Sequence, residues 1–334
     1  MNNNTNFYEE LQKNRYKAGF IPDAEQILFK INDNTIGSIQ SYAVISGLPK
    51  SGKSTFVSSI VASSFIEDDI FGMKLKTLPQ RGRVCYIDTE SSQHDFYSHM
   101  SRIKNLAKLP ELPNTFDAFC LRKEDPGTIK KMIDSYLAQT PDCSIVIIDG
   151  LLDLCLDFND IVECRMIVNW LKNITTVHNL FLLGILHTGK RDGQTLGHLG
   201  SNTDRWSQST LEVKKDDQGY FELSPKFLRS SKNFTPIKIK YDEFEMDFIQ
   251  VDNEVKQFEK QKDFSKYLKH EHDHILNQVF KDQISYSYDD LIKIIARIDK
   301  RGINSTKQYI KYLKEKMVIQ RNNDGLYNDN RISF

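Results

Sequence analysis

The densest chemistry in the chain lies in "GLPKSGKST", Gly47 to Thr55. Two glycines, two lysines and three hydroxyl residues sit between the apolar run "SYAVIS" and the helix-periodic "STFVSSIVASSFI". The order fits G-x-x-x-x-G-K-[ST]: Gly47, then Leu48, Pro49, Lys50 and Ser51, then Gly52, Lys53 and Ser54, with Thr55 following. Glycines let the backbone curl so that successive N–H groups point inward and form an anion nest. A helix that begins there adds the positive end of its dipole. Lys53 can then reach the β- and γ-phosphates of a nucleotide, and the Ser54 hydroxyl can ligate Mg²⁺. A plain Gly/Ser turn would share the composition, but the strand before and the helix after are the context a phosphate loop requires.

A phosphate loop needs a carboxylate to organise its metal. "SIVIIDG" offers Asp149 at the end of an apolar run, where ligand sites of α/β sheets lie. Asp149 is the expected partner of Ser54 in the Mg²⁺ shell. Asp153 and Asp157 are less well placed and are expected to cap the loop. Hydrolysis also needs a group that orients water. Gly150, not a glutamate, follows Asp149. The alternative is Glu90 in "CYIDTE", just past another short strand, as general base or water-positioner.

These residues need a scaffold, and the text supplies alternation. "RVCYIDTE", "FDAFCL", "SIVIIDGLLDL" and "NLFLLGILHTG" read as strands, with the amphipathic runs "SQHDFYSHMSRIKNLAKL", "GTIKKMIDSYLAQ" and "DIVECRMIVNWLKNITTVH" between them. Continuous apolar strands separated by helices imply βαβ units and a mostly parallel sheet covered on both faces. From about 209 the texture changes: "STLEVKKDDQGYFELSP" reads as a hairpin turning at "DDQG", and "PIKIKYDEF" as a further strand, so antiparallel strands end the core. The expected fold is α/β over 1–250, a charged linker over 251–264, and a small domain over 265–334. That last part reads as helices near 266–281, 288–299 and 304–316, the third capped by Asn304 or Ser305, then two strands around "NNDG". Three helices and a β-ribbon suggest a winged helix-turn-helix.

The chain has 334 residues, 39% hydrophobic and 27% charged, with 45 basic and 45 acidic side chains. A net charge of zero gives no global attraction for nucleic acid, so such contacts must be local. No apolar run approaches membrane-spanning length, and the polar start lacks a signal-peptide core, so no membrane partner and a cytoplasmic location are expected. Five scattered cysteines without C-x-x-C spacing read as reduced, buried thiols.

Local patches do exist. Lys190, Arg191 and His198 lie among glycines in the stretch 188–208, "TGKRDGQTLGHLGSNTDRWSQ", which suits a loop approaching a nucleic-acid backbone. Lys307, Lys311 and Lys314 share one face of the third C-terminal helix, with Tyr309 and Tyr312 interleaved and Gln308 or Ser305 placed for base edges. "HEHDH" puts His270 and His274 on one helical face, but nothing beside it completes a zinc set.

The segments "GLPKSGKST", "YIDTE", "VIIDG" and "LLGILHTGK" occur in the order found in RecA-like ATPases. Over roughly residues 20–245 the chain resembles the RepA/DnaB-type branch, the AAA ATPases of mobile elements. The resemblance implies ATP and Mg²⁺ as ligands, Glu90 as the catalytic glutamate, and His187 as a γ-phosphate sensor coupled to a DNA-contacting loop. From its residue type alone, His187 reads equally as a hydrogen-bonded strand-end residue. Ring-forming relatives complete the site with a cation from the neighbouring subunit. Here "FLRSSKNFTP" offers Arg229 and Lys232, with Arg205 as a third choice, although the spacing does not match fully. The implied partners are single-stranded DNA at the core loop, duplex DNA at the C-terminal domain, and further copies of the chain in a ring such as a hexamer. The expected function is an ATP-driven DNA motor, a replicative helicase of a plasmid, phage or mobile element. The alternative is an ATP-gated DNA-binding regulator or replication-initiation factor. A P-loop kinase is disfavoured by the lack of an Arg-rich lid.

Overall fold

The computed structural model describes residues 7–188, 197–242, 247–251, 264, 269–322 and 324–331. The chain divides into two compact units, 1–240 and 241–334. The first opens with α1 (Phe7–Lys13), β1 (Ile27–Ile31), β2 (Asn34–Ser38) and β3 (Tyr42–Gly47). There follow α2 (Lys53–Ser63), β4 (Met73–Leu75), β5 (Arg83–Asp88), α3 (Gln93–Leu106), β6 (Phe116–Cys120) and α4 (Pro126–Gln139). Next come β7 (Cys143–Asp149), a 3₁₀ turn (Leu151–Leu154), α5 (Ile161–Val177), β8 (Phe181–His187) and α6 (Gly197–Trp206). The hairpin β9 (Ser209–Lys215) and β10 (Phe221–Leu228) precedes β11 (Ile237–Asp242), where the first unit ends; β12 (Asp247–Val251) belongs to the second.

The main sheet has nine strands in the order β12-β11-β10-β9-β3-β8-β7-β5-β6. The run from β9 to β6 is parallel, and β10 and β11 pair antiparallel, as the change of texture predicts. Buried apolar side chains on every central strand explain the absence of alternation: all seven residues of β7 are buried. Polar residues at the helix starts fix where the chain turns into helix. Ser92 accepts from the Asp95 N–H, Asp125 from Gly127 and Thr128, and Asp160 from Glu163.

Two features escape the sequence pattern. A second sheet, β2-β1-β4, packs on α2, and Phe29 from β1 meets Phe181 at 6.3 Å. Its strands are short and β4 lies some forty residues from its partner, so no local periodicity announces the pairing. The expectation of an irregular loop through 208 is corrected at 197–206, which form α6. Leu199, Gly200 and Thr203 are buried and α6 packs on α5, so tertiary contact overrides the helix-weak glycines.

The second unit contains α7 (Lys269–Val279), β13 (Ser285–Tyr286), α8 (Tyr288–Ile298), α9 (Ile303–Glu315), β14 (Ile319–Arg321) and β15 (Tyr327–Asp329). Its strands form a sheet β13-β15-β14 over a core of Leu276, Leu291, Ile295, Ile310 and Leu313. Gly302, not Asn304 or Ser305, stands at the N-cap of α9, without a side-chain cap bond. At the expected "NNDG" turn, Asn322 Oδ1 accepts from the Asp324 and Leu326 N–H groups, and Asn323 lies outside the described residues. Tyr309 is fully buried and stacks on His272, so it belongs to the core and not to a recognition surface. Apart from Val251 and Phe264, the expected linker 251–264 lies outside the described residues.

Candidate nucleotide-binding site

The parallel strands put their last residues at one edge of the sheet. Register pairs Gly47 with His187, Asp88 with Asp149, and Asp149 with Ile185. β8 therefore lies between the strand that ends in the phosphate loop and the strand that ends in Asp149. This edge is where α/β sheets bind ligands.

Between β3 and α2 the backbone takes left-handed conformations at Lys50 (φ 62°) and Gly52 (φ 94°). At Gly52 a Cβ would also stand 2.3 Å from the Phe221 ring on β10. Gly52→Ala is expected to destabilise the protein by about 1–3 kcal/mol. A thermal melt measures this, and an unchanged melting temperature would contradict the account. A Cβ at Gly47 would meet the Val213 carbonyl at 2.5 Å and Ser51 Oγ at 2.7 Å. The loop can thus close on itself only with glycine at both ends.

Lys53 is 7% exposed and opens α2. Its Nζ donates to the carbonyls of Gly47 and Leu48, each at 2.9 Å, and lies 3.2 Å from His187 Nδ1. His187 Nε2 is 2.9 Å from Glu90 Oε2. An ammonium only donates, so Nδ1 accepts and Nε2 carries the hydrogen given to Glu90. Lys53, His187 and Glu90 thus form one hydrogen-bonded chain across the edge of the sheet. Burial lowers the Lys53 pKa, opposed by Glu90 and Asp149. Ser51 Oγ is buried without a hydrogen-bond partner. An ammonium held by two loop carbonyls and an imidazole nitrogen, beside an unsatisfied hydroxyl, is a donor set suited to phosphate oxygens.

Asp149 is 9% exposed and accepts a 2.7 Å hydrogen bond from Tyr86. Burial pushes its pKa up to about 6; the Tyr86 bond opposes this, while Asp88 and Glu90 add to it. A buried carboxylate among carboxylates is short of positive charge, which suits a divalent cation; the Ser54 hydroxyl stands in the first turn of α2, the residue expected to join Asp149 in holding Mg²⁺. The folded protein holds this proton more tightly than the unfolded chain, whose carboxyl titrates near 3.8. The cost of the ionised form is present above the folded value and is lost as pH falls through about 6 towards 4. A two-unit shift is worth on the order of 3 kcal/mol. Asp149→Asn is therefore expected to melt above wild type at about pH 8 in metal-free buffer, the gap closing near pH 4. Equal melting at both pH values would contradict the shift.

Glu90 is held in place by its own backbone, whose N–H donates to Asp88 Oδ1 at 3.0 Å. Asp153 does not simply cap the loop: its Oδ2 accepts from Thr89 Oγ1 at 2.8 Å, beside Glu90. Asp157 does turn the local backbone, accepting from the Asn159 N–H. Tyr86 and His99 belong to no motif, and Asp88 stands out only as the acid nearest Glu90. Alternation in "VCYIDTE" puts Tyr86 and Asp88 on one face of β5, a signal that was available in the sequence.

Arg229 and Lys232 are not at this edge. Leu228 pairs with Ser209, which pairs with Ala43 at the start of β3, so both cations lie towards the opposite end of the sheet and are exposed. Arg229 donates to the Arg205 carbonyl. Lys190 and Arg191 lie outside the described residues, and His198 is exposed on α6. Lys307 and Lys311 are exposed on α9, while Lys314 is half-buried, with its Nζ 5.1 Å from the Tyr327 ring. All three line a groove of about 330 Å³ that also carries Asp242 and Asp289. On α7, His274 pairs with Gln278 and His272 with Tyr309. The five cysteines are free thiols, four of them buried.

Residues 37–193 match the family model of the AAA domain. The match supports an ATPase of the P-loop class, and it spans Gly47–Thr55, Glu90, Asp149 and His187. No curated protein matches the chain.

Proposed function

We propose that this P-loop ATPase is a DNA motor, a RepA-type replicative helicase of a plasmid, phage or mobile element, assembled as a homo-oligomeric ring such as a hexamer. The observation that carries the reading is the Lys53–His187–Glu90 chain. It ties the phosphate loop and the hydrolytic carboxylate to the last residue of β8, from which the stretch with Lys190 and Arg191 departs. A histidine in that place can report the state of the phosphate site to a DNA-contacting segment.

In this mechanism Lys53 exchanges the Gly47 and Leu48 carbonyls for the β- and γ-phosphates of ATP. Glu90 orients a water and takes its proton, while His187 fixes the carboxylate that does so. Ser54 and Asp149 would hold Mg²⁺, which would neutralise charge on the phosphates. Arg229 and Lys232, remote from their own chain's site and exposed, suit the site of a neighbouring subunit. Residues 265–334 act as a winged-helix-like module joined through 251–264, with Lys307, Lys311 and Lys314 on duplex phosphates. A cytoplasmic location accords with this role; no helix among the described residues is long and apolar enough to cross a membrane.

The α9 groove also supports a second reading, an ATP-gated DNA-binding regulator or initiation factor that does not unwind. A forked-duplex strand-displacement assay with ATP separates the two. The motor predicts displacement that Lys190→Ala/Arg191→Ala abolishes; binding without displacement favours the regulator. Lys307→Glu/Lys311→Glu/Lys314→Glu is expected to weaken duplex binding and lower the salt slope by about 2–3. Its DNA-free ATP turnover should stay at the wild-type rate. Unchanged duplex binding would remove α9 from the interface.

A further inference from the structure

A group of side chains outside the Lys53–His187–Glu90 chain has its own character. Asp88 ends β5, Asp149 ends β7 beside it, and His99 faces them from α3. Asp88 is fully buried. Its Oδ1 is committed to the Glu90 and Ser91 N–H groups, at 3.0 and 2.7 Å. Its Oδ2 faces His99 Nδ1 at 3.8 Å, too far for a hydrogen bond. Both of these buried atoms are without a hydrogen-bond partner. One ligand atom from each of Asp88, His99 and Asp149 lies within 4.8 Å of the other two.

A buried carboxylate oxygen and an imidazole nitrogen that face one another without a hydrogen bond are costly to leave so. Their separation is what a shared cation would produce, since ligands about 2.1 Å from one ion stand up to about 4.2 Å apart. The donor set is one imidazole nitrogen and two carboxylate oxygens. Imidazole favours zinc and its neighbours over Mg²⁺ and Ca²⁺, and three protein ligands leave a position for water.

We propose that Asp88, His99 and Asp149 form a binding site for an imidazole-preferring divalent cation of the Zn²⁺ or Co²⁺ type, distinct from the site at Ser54. An ion there pins α3 to the ends of β5 and β7, and so to the backbone that carries Glu90. Asp149 serves both sites. The proposal does not depend on DNA or on turnover.

The test is Co²⁺ titration of the tag-free full chain, without nucleotide, carrying His270→Gln/His274→Gln to silence α7. Visible absorption reads uptake. One equivalent is expected, displaced by Zn²⁺ and not by a large excess of Mg²⁺. His99→Gln should lower the affinity at least about tenfold, and Ser54→Ala should leave it unchanged. Zn²⁺ should raise the melting temperature of the parent chain and not that of the His99 variant. Should His99→Gln fail to fold, Asp88→Asn decides: it keeps the Oδ1 acceptor and loses the anionic ligand. No uptake by the parent, uptake indifferent to His99 and Asp88, or uptake lost with Ser54→Ala would overturn the proposal. Any of these results leaves the ATPase reading standing, because no nucleotide enters the measurement.

Discussion

Lys53→Ala is expected to abolish ATP turnover, with a loss of at least about 10³-fold in kcat/KM. Of the two lysines in the phosphate loop, Lys50 is exposed, whereas Lys53 is 7% exposed and bonded to the Gly47 and Leu48 carbonyls. Because Lys53 is buried, its cation at the transferring phosphoryl group acts at reduced dielectric and needs little reorganisation when charge develops. Substitution also removes the donor to His187 Nδ1, so the imidazole no longer has a fixed tautomer to offer Glu90. Two readouts check this. Phosphate release should fall to background, and the rise in melting temperature that ATP and Mg²⁺ give the wild type should disappear. Turnover within about tenfold of wild type would contradict the placement of the γ-phosphate at Lys53.

Glu90→Gln is expected to separate binding from chemistry. Glutamine keeps an oxygen that accepts from His187 Nε2, so the local arrangement survives, but it takes no proton from water. The kcat should fall by about 10²–10⁴-fold while ATP binding, read by the melting shift, stays near wild type. The competing carboxylates are Asp88, whose Oδ1 is taken by two backbone N–H groups, and Asp153, which is occupied by Thr89. Glu90 is the one of the three whose carboxylate is joined to His187 and partly open, 37% exposed. A Glu90→Gln enzyme that still turns over at the wild-type rate would pass the water-positioning role to Asp153.

Much of the fold was legible because its signals are local. The apolar runs that became β3, β5, β7 and β8 need no partner to be recognised, and Asp125 and Asp160 mark helix starts by their side-chain chemistry. The β2-β1-β4 sheet was not legible, since "ILFKI" and "MKL" acquire meaning only when paired across more than forty residues. Helix α6 was hidden by its glycines; burial of Leu199 and Thr203 against neighbouring elements decides it, and a sequence does not display that. In the site, Gly47, Lys53, Ser54 and Asp149 follow from spacing. The bond from His187 to Glu90 does not, because it joins residues 97 apart through the register of β8 with β3. Arg229 and Lys232 were chosen by resemblance, and their remoteness from Lys53 follows from the direction of β10, which no motif encodes.

The motor function is tested most directly by ATP hydrolysis with and without single-stranded DNA, for wild type and Glu90→Gln under identical conditions. A DNA motor gives Mg²⁺-dependent turnover that DNA stimulates strongly in the wild type and fails to rescue in the variant. Slow turnover indifferent to DNA would contradict the motor and favour an ATP-gated regulator, whose DNA target would then be sought at Lys307, Lys311 and Lys314.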